Sequence, residues 1–543
     1  QPQSGNAELS GLAIDSGTLT PAFASGTLSY SASTKSSSLR VTAMAADPTS
    51  FIKINGSVAT SGVPVTVSLK LGTNSVIVAV AAESGAAETV YMLTVKREAS
   101  GSGTGSGSGS GSGSNPNPGS GLGTSEEKEQ VESQGVIGRI REFKEGDRRV
   151  LAGEVDSNQL TESLKTLSQG GRLALPISAD ADDIRILFHG DDLSRLDAHQ
   201  ALADLQTPIG RYAVPADPAT WQRLAASFGP SVRMADLDVT VEIRTGDEEK
   251  IRIMGSSAKT SRLEVIVPPV EFNLYVAYQG RSVAVDRFSR FVERSIPIPD
   301  GTDPDSITTA VVLEADGSLR PVPTSFRREN GRTYAIASSL TNSTYALVRN
   351  AQPAFADADG HWASPIIVDL ASRLVIHGGA DNRFRPDNAI SRAEFVAMLV
   401  RGLGLPEGGS AAGYVDVKPG DWFAGAVGSA REYGIVEGDA EGRYQPGNAI
   451  ARQEAFVILS RALKLTDLNA NLSIEDTDKE LAKFADRGKV AGWAKQAVAL
   501  SVRHRLIEGS GSSVLPLKPL TRAEAAAIVQ RLLTNADLIG TSR

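Results

Sequence analysis

The chain has 543 residues, no cysteine, and 63 acidic against 55 basic residues, for a net charge of −8. That length predicts several domains, the acidic balance argues against nucleic acid as the main partner, and the missing cysteine excludes disulfides, thiolate metal sites and thiol nucleophiles. No apolar run reaches the ~20 residues that span a bilayer, so membrane insertion is not expected, and the start at Gln1 fits a processed secreted protein better than a cytosolic one.

Residues 1–98 read as all-β. Val76, Val78 and Val80 alternate with Ile77, Ala79 and Ala81, and Val63, Val65, Val67 and Leu69 form a second alternating run. Ser61-Gly62, Leu71-Gly72-Thr73-Asn74 and Asn55-Gly56 punctuate them as turns. Short strands so divided predict a sandwich. The stretch resembles a bacterial cadherin-like β-sandwich, on Leu9-Ser10-Gly11-Leu12, Gly17-Thr18-Leu19-Thr20-Pro21-Ala22-Phe23, Tyr30, Gly72-Thr73-Asn74 and Tyr91-Met92-Leu93-Thr94-Val95. The resemblance implies an exposed spacer or adhesion unit. It carries no calcium site with it, because no Asp/Glu cluster here matches one.

Residues 99–124 are almost pure Gly and Ser around an Asn-Pro-Asn-Pro interruption. Such a segment buries no apolar surface and is expected to be a flexible tether.

Residues 125–267 are expected to form an α+β module, with helices over Asp192–Leu205 and Ala219–Phe228 and a strand at Val239, Val241 and Ile243. A β-rich module is expected over 268–350, the two divided near Pro268-Pro269, with Val270, Phe272, Leu274 and Val276 alternating just beyond. Asp180, Asp182, Asp183, Asp191 and Asp192 are candidate catalytic carboxylates, but clustering in sequence is not the flanking pair a glycosidase needs. The five histidines lack zinc-site spacing. No catalytic residue, no bound metal and no cofactor is therefore expected. Calcium stays open at Asp357 and Asp359, where a polar turn ahead of a helix is the better reading.

The C-terminal third repeats itself. Trp362, Trp422 and Trp493 are three of the chain's four tryptophans. Each is followed 16 residues later by a glycine, Gly378, Gly438 or Gly509, then by Pro386, Pro446 or Pro516, and six residues beyond that by Arg392, Arg452 or Arg522. A fixed period means supersecondary units too small to bury their own apolar faces. Ser391-Arg392-Ala393-Glu394 and Thr521-Arg522-Ala523-Glu524 are capping boxes, and Ile390 with Phe395 supplies the hydrophobic staple. Ala451 breaks the box in the middle copy, at a cost of roughly 0.5–2 kcal/mol.

The pattern Phe355-Ala356-Asp357, His361-Trp362, Gly378, Phe384-Arg385-Pro386, Ser391-Arg392-Ala393-Glu394, with its copies at Tyr414-Val415-Asp416 and Phe484-Ala485-Asp486, resembles the S-layer homology domain. Repeats are placed at 351–411, 412–482 and 483–543. Residues 268–350 are similar to the β-rich region that commonly precedes such repeats. The resemblance implies an all-α pseudo-threefold bundle whose inter-repeat grooves bind a pyruvylated secondary cell-wall polysaccharide. It also implies a secreted chain held in the wall or S-layer of a Gram-positive-type bacterium. Arg392, Arg452 and Arg522 would meet the ketal carboxylate beside free N–H groups at a helix start; Gly378, Gly438, Gly509 and the three tryptophans complete the expected site. The tryptophans are expected in the core with an exposed edge, and Glu394, Glu454 and Glu524 are expected to be caps only. A non-enzymatic anchored surface protein, with lateral self-assembly into a lattice, is the leading reading. The alternatives are an anchored carbohydrate-active enzyme with its centre in 125–350, and an adhesin using the N-terminal sandwich.

Overall fold

The structure is a computed structural model that describes residues 4, 6–25, 27, 29–54, 57–69, 72–82, 88–97, 128–131, 135–215, 217–285, 287–350, 355–379, 381–408, 413–468, 471–509 and 511–540. The expected tether at 99–124 and the Asn55-Gly56 turn lie outside these residues. The chain divides into two compact units, 1–121 and 122–543.

In the first unit, Leu9–Ile14, Ser38–Ala45 and Val65–Ser68 form one sheet. Ser29–Thr34, Glu88–Arg97, Gly72–Ala81, Phe51–Ile54 and Ser57–Ala59 form the other, in that order. Val76, Val78 and Val80 point inward beside Tyr91, Leu93 and Val95, and join Leu39 and Val41 of the facing sheet in one core. Alternation thus puts every second residue into the sandwich. Two expectations shift. Gly72-Thr73-Asn74 open the Gly72–Ala81 strand rather than forming a turn, and Val63 is exposed, ahead of the strand that starts at Val65.

In the second unit, a ten-stranded sheet and a six-stranded sheet share one core that runs from Val136 to Leu347. Helices Ser157–Thr166, Gly190–Ala198, Pro218–Phe228 and Glu248–Thr260 lie among their strands. The expected boundary near Pro268 is not found. A single strand, Leu263–Tyr278, runs through Pro268 and Pro269 and sits between Asp238–Thr245 and Ser343–Asn350. Pairing to Asp238–Thr245 begins only at Val270, and pairing to Ser343–Asn350 is irregular from Val265 to Val270. The prolines therefore fall where the ladder does not require their missing N–H groups. The helix expected over Asp192–Leu205 ends at Ala198, because Gln200 turns the chain at φ 52° and Leu202–Gln206 enters the smaller sheet.

Beyond Asn350 the regular elements are helices: Ser364–Ser372, Arg392–Gly402, Ala424–Glu432, Arg452–Ala462, Ile474–Leu481, Lys495–Arg503 and Arg522–Asn535. Their apolar faces form a second core, which also takes in Leu340 from the β region. The β region meets the helices at their C-terminal ends. Asn350 donates to the Ala371 carbonyl at 3.1 Å, Arg320 to that of Gly404, and Arg290 pairs with Asp467 at 2.9 Å. Arg287 pairs with Glu432 and stacks 3.9 Å from the Tyr433 ring. Gly404, at φ +61°, lies so close that a Cβ there would stand 2.7 Å from Pro323. Among the described residues no helix is long and apolar enough to cross a membrane.

Candidate functional site

Each repeat builds its helix entrance in the same way. The carboxylate of Asp357 accepts from the N–H groups of Phe384 and Arg385 at 2.9 and 2.7 Å. Asp416 does the same for Tyr444 and Gln445, and Asp486 for Val514 and Leu515. The second residue of each pair is left-handed, at φ 57°, 59° and 56°. A non-glycine residue resists that region, and the Asp clamp holds it there. Asp357 is thus committed to protein N–H groups, as a turn residue would be.

The clamped loops meet at an approximate threefold axis. Ile390 N–H donates to Leu520 O, Leu520 N–H to Ile450 O, and Ile450 N–H to Ile390 O, at 2.9, 2.9 and 3.1 Å. Each helix start is spent on a neighbour too, running round the ring in the opposite sense. The N–H groups of Arg392 and Ala393 donate to Asn448 and Pro446, those of Arg452 and Gln453 to Lys518 and Pro516, and those of Arg522 and Ala523 to Asn388 and Pro386. The expectation of free N–H groups beside the arginines is therefore corrected: these donors close the ring of repeats, since buried N–H groups must find partners.

The arginine side chains follow the ring. Arg522 Nε donates to Phe384 O at 2.7 Å and Nη1 to Glu394 Oε1 at 2.5 Å. Arg452 Nε donates to Val514 O at 2.9 Å and Nη1 to Glu524 Oε1 at 3.0 Å. Arg392 Nε donates to Tyr444 O at 3.0 Å, with Nη1 at 3.7 Å from Glu454 Oε1. The other oxygen of each glutamate accepts the N–H of its own cap residue, Ser391, Ala451 or Thr521. The glutamates are thus more than caps: each joins its helix start to the arginine of the preceding repeat. Sequence spacing held no sign of this, because the contact crosses between copies. Among the described residues, Nη2 of each arginine has no protein partner. The three side chains are largely covered, at 18%, 9% and 15% exposure for Arg392, Arg452 and Arg522.

Open grooves remain beside them. One, of about 620 Å³, is walled by repeat 1 through Gly378, Glu394 and Met398, and is completed by Trp422 from repeat 2 and Arg522 from repeat 3. A second, of about 410 Å³, is walled by repeat 3 through Gly509, Glu524 and Ile528, with Trp362 from repeat 1 and Arg452 from repeat 2. The same rotation assigns Gly438 and Glu454 of repeat 2 to Arg392, while an N–H from Ala491 to Gln453 Oε1 at 3.0 Å draws the turn carrying Trp493 towards that helix. In the two described grooves the expected glycine, tryptophan and arginine thus line one cleft, one from each of three repeats.

The tryptophans are 60%, 59% and 63% exposed, so they are surface groups and not core anchors. The glycines are spaced by packing. A Cβ at Gly378, Gly438 or Gly509 would stand 2.5, 2.7 or 2.8 Å from the ring of Phe355, Tyr414 or Phe484.

Three of the five candidate aspartates of the β region are otherwise engaged, and Asp180 and Asp191 are exposed. Asp182 accepts from Arg149 N–H, Asp183 pairs with Arg185 at 2.7 Å, and Asp192 accepts from Ser157 Oγ at 2.6 Å and from His189 N–H. His189 stands between Glu154 and Asp238, each at 2.8 Å, and these two contacts, Glu154 first, raise its pKa. No group of three or more His, Cys, Asp or Glu poised to hold a metal occurs among the described residues.

A cadherin-like beta sandwich domain model matches residues 9–98, and an S-layer homology domain model matches residues 354–396, 413–456 and 483–526. The chain is 35% identical over 184 residues to the exoglucanase XynX of Acetivibrio thermocellus, covering 34% of this chain and 16% of that protein. It is 29% identical over 223 residues to the surface-layer 125 kDa protein of Lysinibacillus sphaericus, covering 39% and 18%. It is 25% identical over 172 residues to the S-layer protein sap of Bacillus anthracis, covering 32% and 20%. The chain thus spans about a fifth or less of these relatives.

Proposed function

We propose, for a cell-surface protein that carries one cadherin-like β-sandwich and three S-layer homology domains, that the inter-repeat grooves hold it to the wall by gripping an acidic secondary wall polysaccharide. The carrying observation is the pairing, in each described groove, of an exposed tryptophan face with a covered guanidinium whose Nη2 is unspent. An exposed indole suits the apolar face of a sugar. A guanidinium fixed by a carbonyl and a carboxylate is held in place, so its remaining N–H groups meet an anion with little loss of freedom. A pyruvate ketal, which puts a carboxylate on the sugar ring, matches both features.

The β region meets the repeats at helix C-termini, as at Gly404 and Glu432. We read the β region as a spacer and the N-terminal sandwich as the displayed module, without catalysis or a cofactor. Two relatives are named surface-layer proteins, which supports lateral self-assembly as part of the same role. The test is sedimentation of the full chain with purified walls, before and after acid removal of the secondary polymer. Binding to intact walls and loss on stripped walls is the expected result; equal retention on both overturns the reading. Replacing Arg522 and Arg452 together by Gln should release the chain from intact walls, with the far-UV spectrum unchanged.

A further inference from the structure

The two described grooves share their plan but not their charge. In the groove of repeat 1, the charged lining groups are Arg385, Arg401, Arg522 and Glu394. In that of repeat 3 they are Arg452, Lys518 and Arg531 against Asp387, Glu508 and Glu524. Counted over the lining alone, the first carries +2 and the second is neutral; the Arg385 charge is met outside the lining by Asp381 at 2.7 Å. Much of the difference comes from one position, the residue just before the groove glycine: His377 in repeat 1, Glu437 in repeat 2, Glu508 in repeat 3.

Each of these positions faces an arginine nine residues beyond the helix-start arginine, namely Arg401, Arg461 or Arg531. In repeat 2, Arg461 Nη2 pairs with Glu437 at 2.6 Å, and in repeat 3, Arg531 Nη2 lies 3.8 Å from Glu508. In repeat 1, Arg401 instead turns to Glu407 at 2.7 Å, a residue outside the groove lining, while His377 stays within it. The His377 ring is exposed on one side. Desolvation on its covered side, and then the Arg401 charge, push its pKa down, with Glu407 opposing.

We propose that the grooves form a ranked set, in which the repeat 1 groove takes the carboxylate-bearing sugar and the repeat 2 and 3 grooves are weakened by their own glutamates. This rests on the reading of the grooves as acidic-sugar sites and adds to it which groove is occupied and which residue decides. Glu437 and Glu508 are 72% and 77% exposed, so the penalty each imposes is that of a surface charge, about fivefold in affinity, and it fades as salt rises.

The test titrates the full chain at low salt with a methyl glycoside bearing a 4,6-pyruvate ketal, and with the methyl ester of the same compound. One dominant site is expected. His377→Glu should weaken that site about fivefold, and Glu508→Gln should add a second site of comparable strength. Both positions are exposed, so neither change threatens folding. Three equal sites in the unsubstituted chain, or no response to either substitution, would overturn the ranking while leaving the grooves as ketal sites. Equal binding of acid and ester would instead remove the acidic-sugar reading itself.

Discussion

The β region and the helical repeats of the second unit reach stability by different routes. The repeats spend the same small device three times: an Asp clamp, a left-handed loop residue, and a helix start that donates to the next copy. The β region has no such redundancy. Its two sheets converge on one fully buried guanidinium, Arg294, which donates to the carbonyls of Val292 and Ser339 and to Asn342 Oδ1, ringed by Tyr212, Tyr345 and Phe288. Among the described residues it has no carboxylate partner. A closed ring distributes a constraint over many ordinary contacts, whereas a single buried charge concentrates it.

The sharpest way to break this contrast is to remove the hub. Arg294→Ala opens a cavity in the core and takes a donor from the Val292 and Ser339 carbonyls, while Asn342 Oδ1 keeps the Tyr212 hydroxyl at 2.8 Å; the change should cost about 3–5 kcal/mol. The matched change in the repeats, Asp416→Ala, strands the N–H groups of Tyr444 and Gln445 and should cost less, about 2–3 kcal/mol. The four tryptophans separate the readouts, because Trp221 is buried in the β region while Trp362, Trp422 and Trp493 are exposed in the repeats. Urea unfolding followed by emission should therefore shift the buried-indole transition more for Arg294→Ala. An equal shift for both variants would end the distinction.

The contrast also explains what could be read from the sequence. Capping boxes, clamp aspartates and period-matched glycines are local, so a repeat pattern exposes them. The arginine-to-glutamate contacts cross between copies, as from Arg522 to Glu394, and no spacing within one copy encodes them. Tryptophan misled for a related reason: an indole at a fixed helical position reads as core, yet here it projects over a neighbour's groove. In the β region, Pro268-Pro269 looked like a boundary because proline ends most strands. Only the irregular register opposite them shows that the strand continues.

Asp197 has one buried oxygen without a hydrogen bond. Burial, and then the Asp217 charge, push its pKa up to about 6. A carboxyl whose folded pKa lies above its unfolded value stabilises the fold below the unfolded value, near 3.8, and loses that contribution as pH rises through 6. Asp197→Asn should therefore raise stability at pH 7 by about 2 kcal/mol and give no gain near pH 3.5. Urea midpoints at the two pH values check this, and a gain of the same size at both would show that the effect is not titration.

The smallest effect tests whether the ring of repeats has a weakest member. In repeats 1 and 3, Ser391 and Thr521 accept the N–H groups of Glu394 and Glu524 at 3.2 and 3.1 Å. In repeat 2 the Glu454 N–H has only the Ala451 carbonyl, at 3.0 Å. The backbone at Ala451 (φ −73°, ψ 149°) is nearly that of Ser391 (φ −77°, ψ 161°), so a hydroxyl would be placed without strain. Ala451→Ser should then stabilise the repeats by about 1 kcal/mol, seen as a higher midpoint for the exposed-indole transition and no change in that of Trp221. Arg392, whose partner Glu454 sits on this same helix start at 3.7 Å where the other copies stand at 2.5 and 3.0 Å, belongs to the loosest of the three joints. If the added hydroxyl moves neither transition, the missing cap has already been compensated by the donors that close the ring, and the three repeats are equivalent in stability despite their unequal sequences.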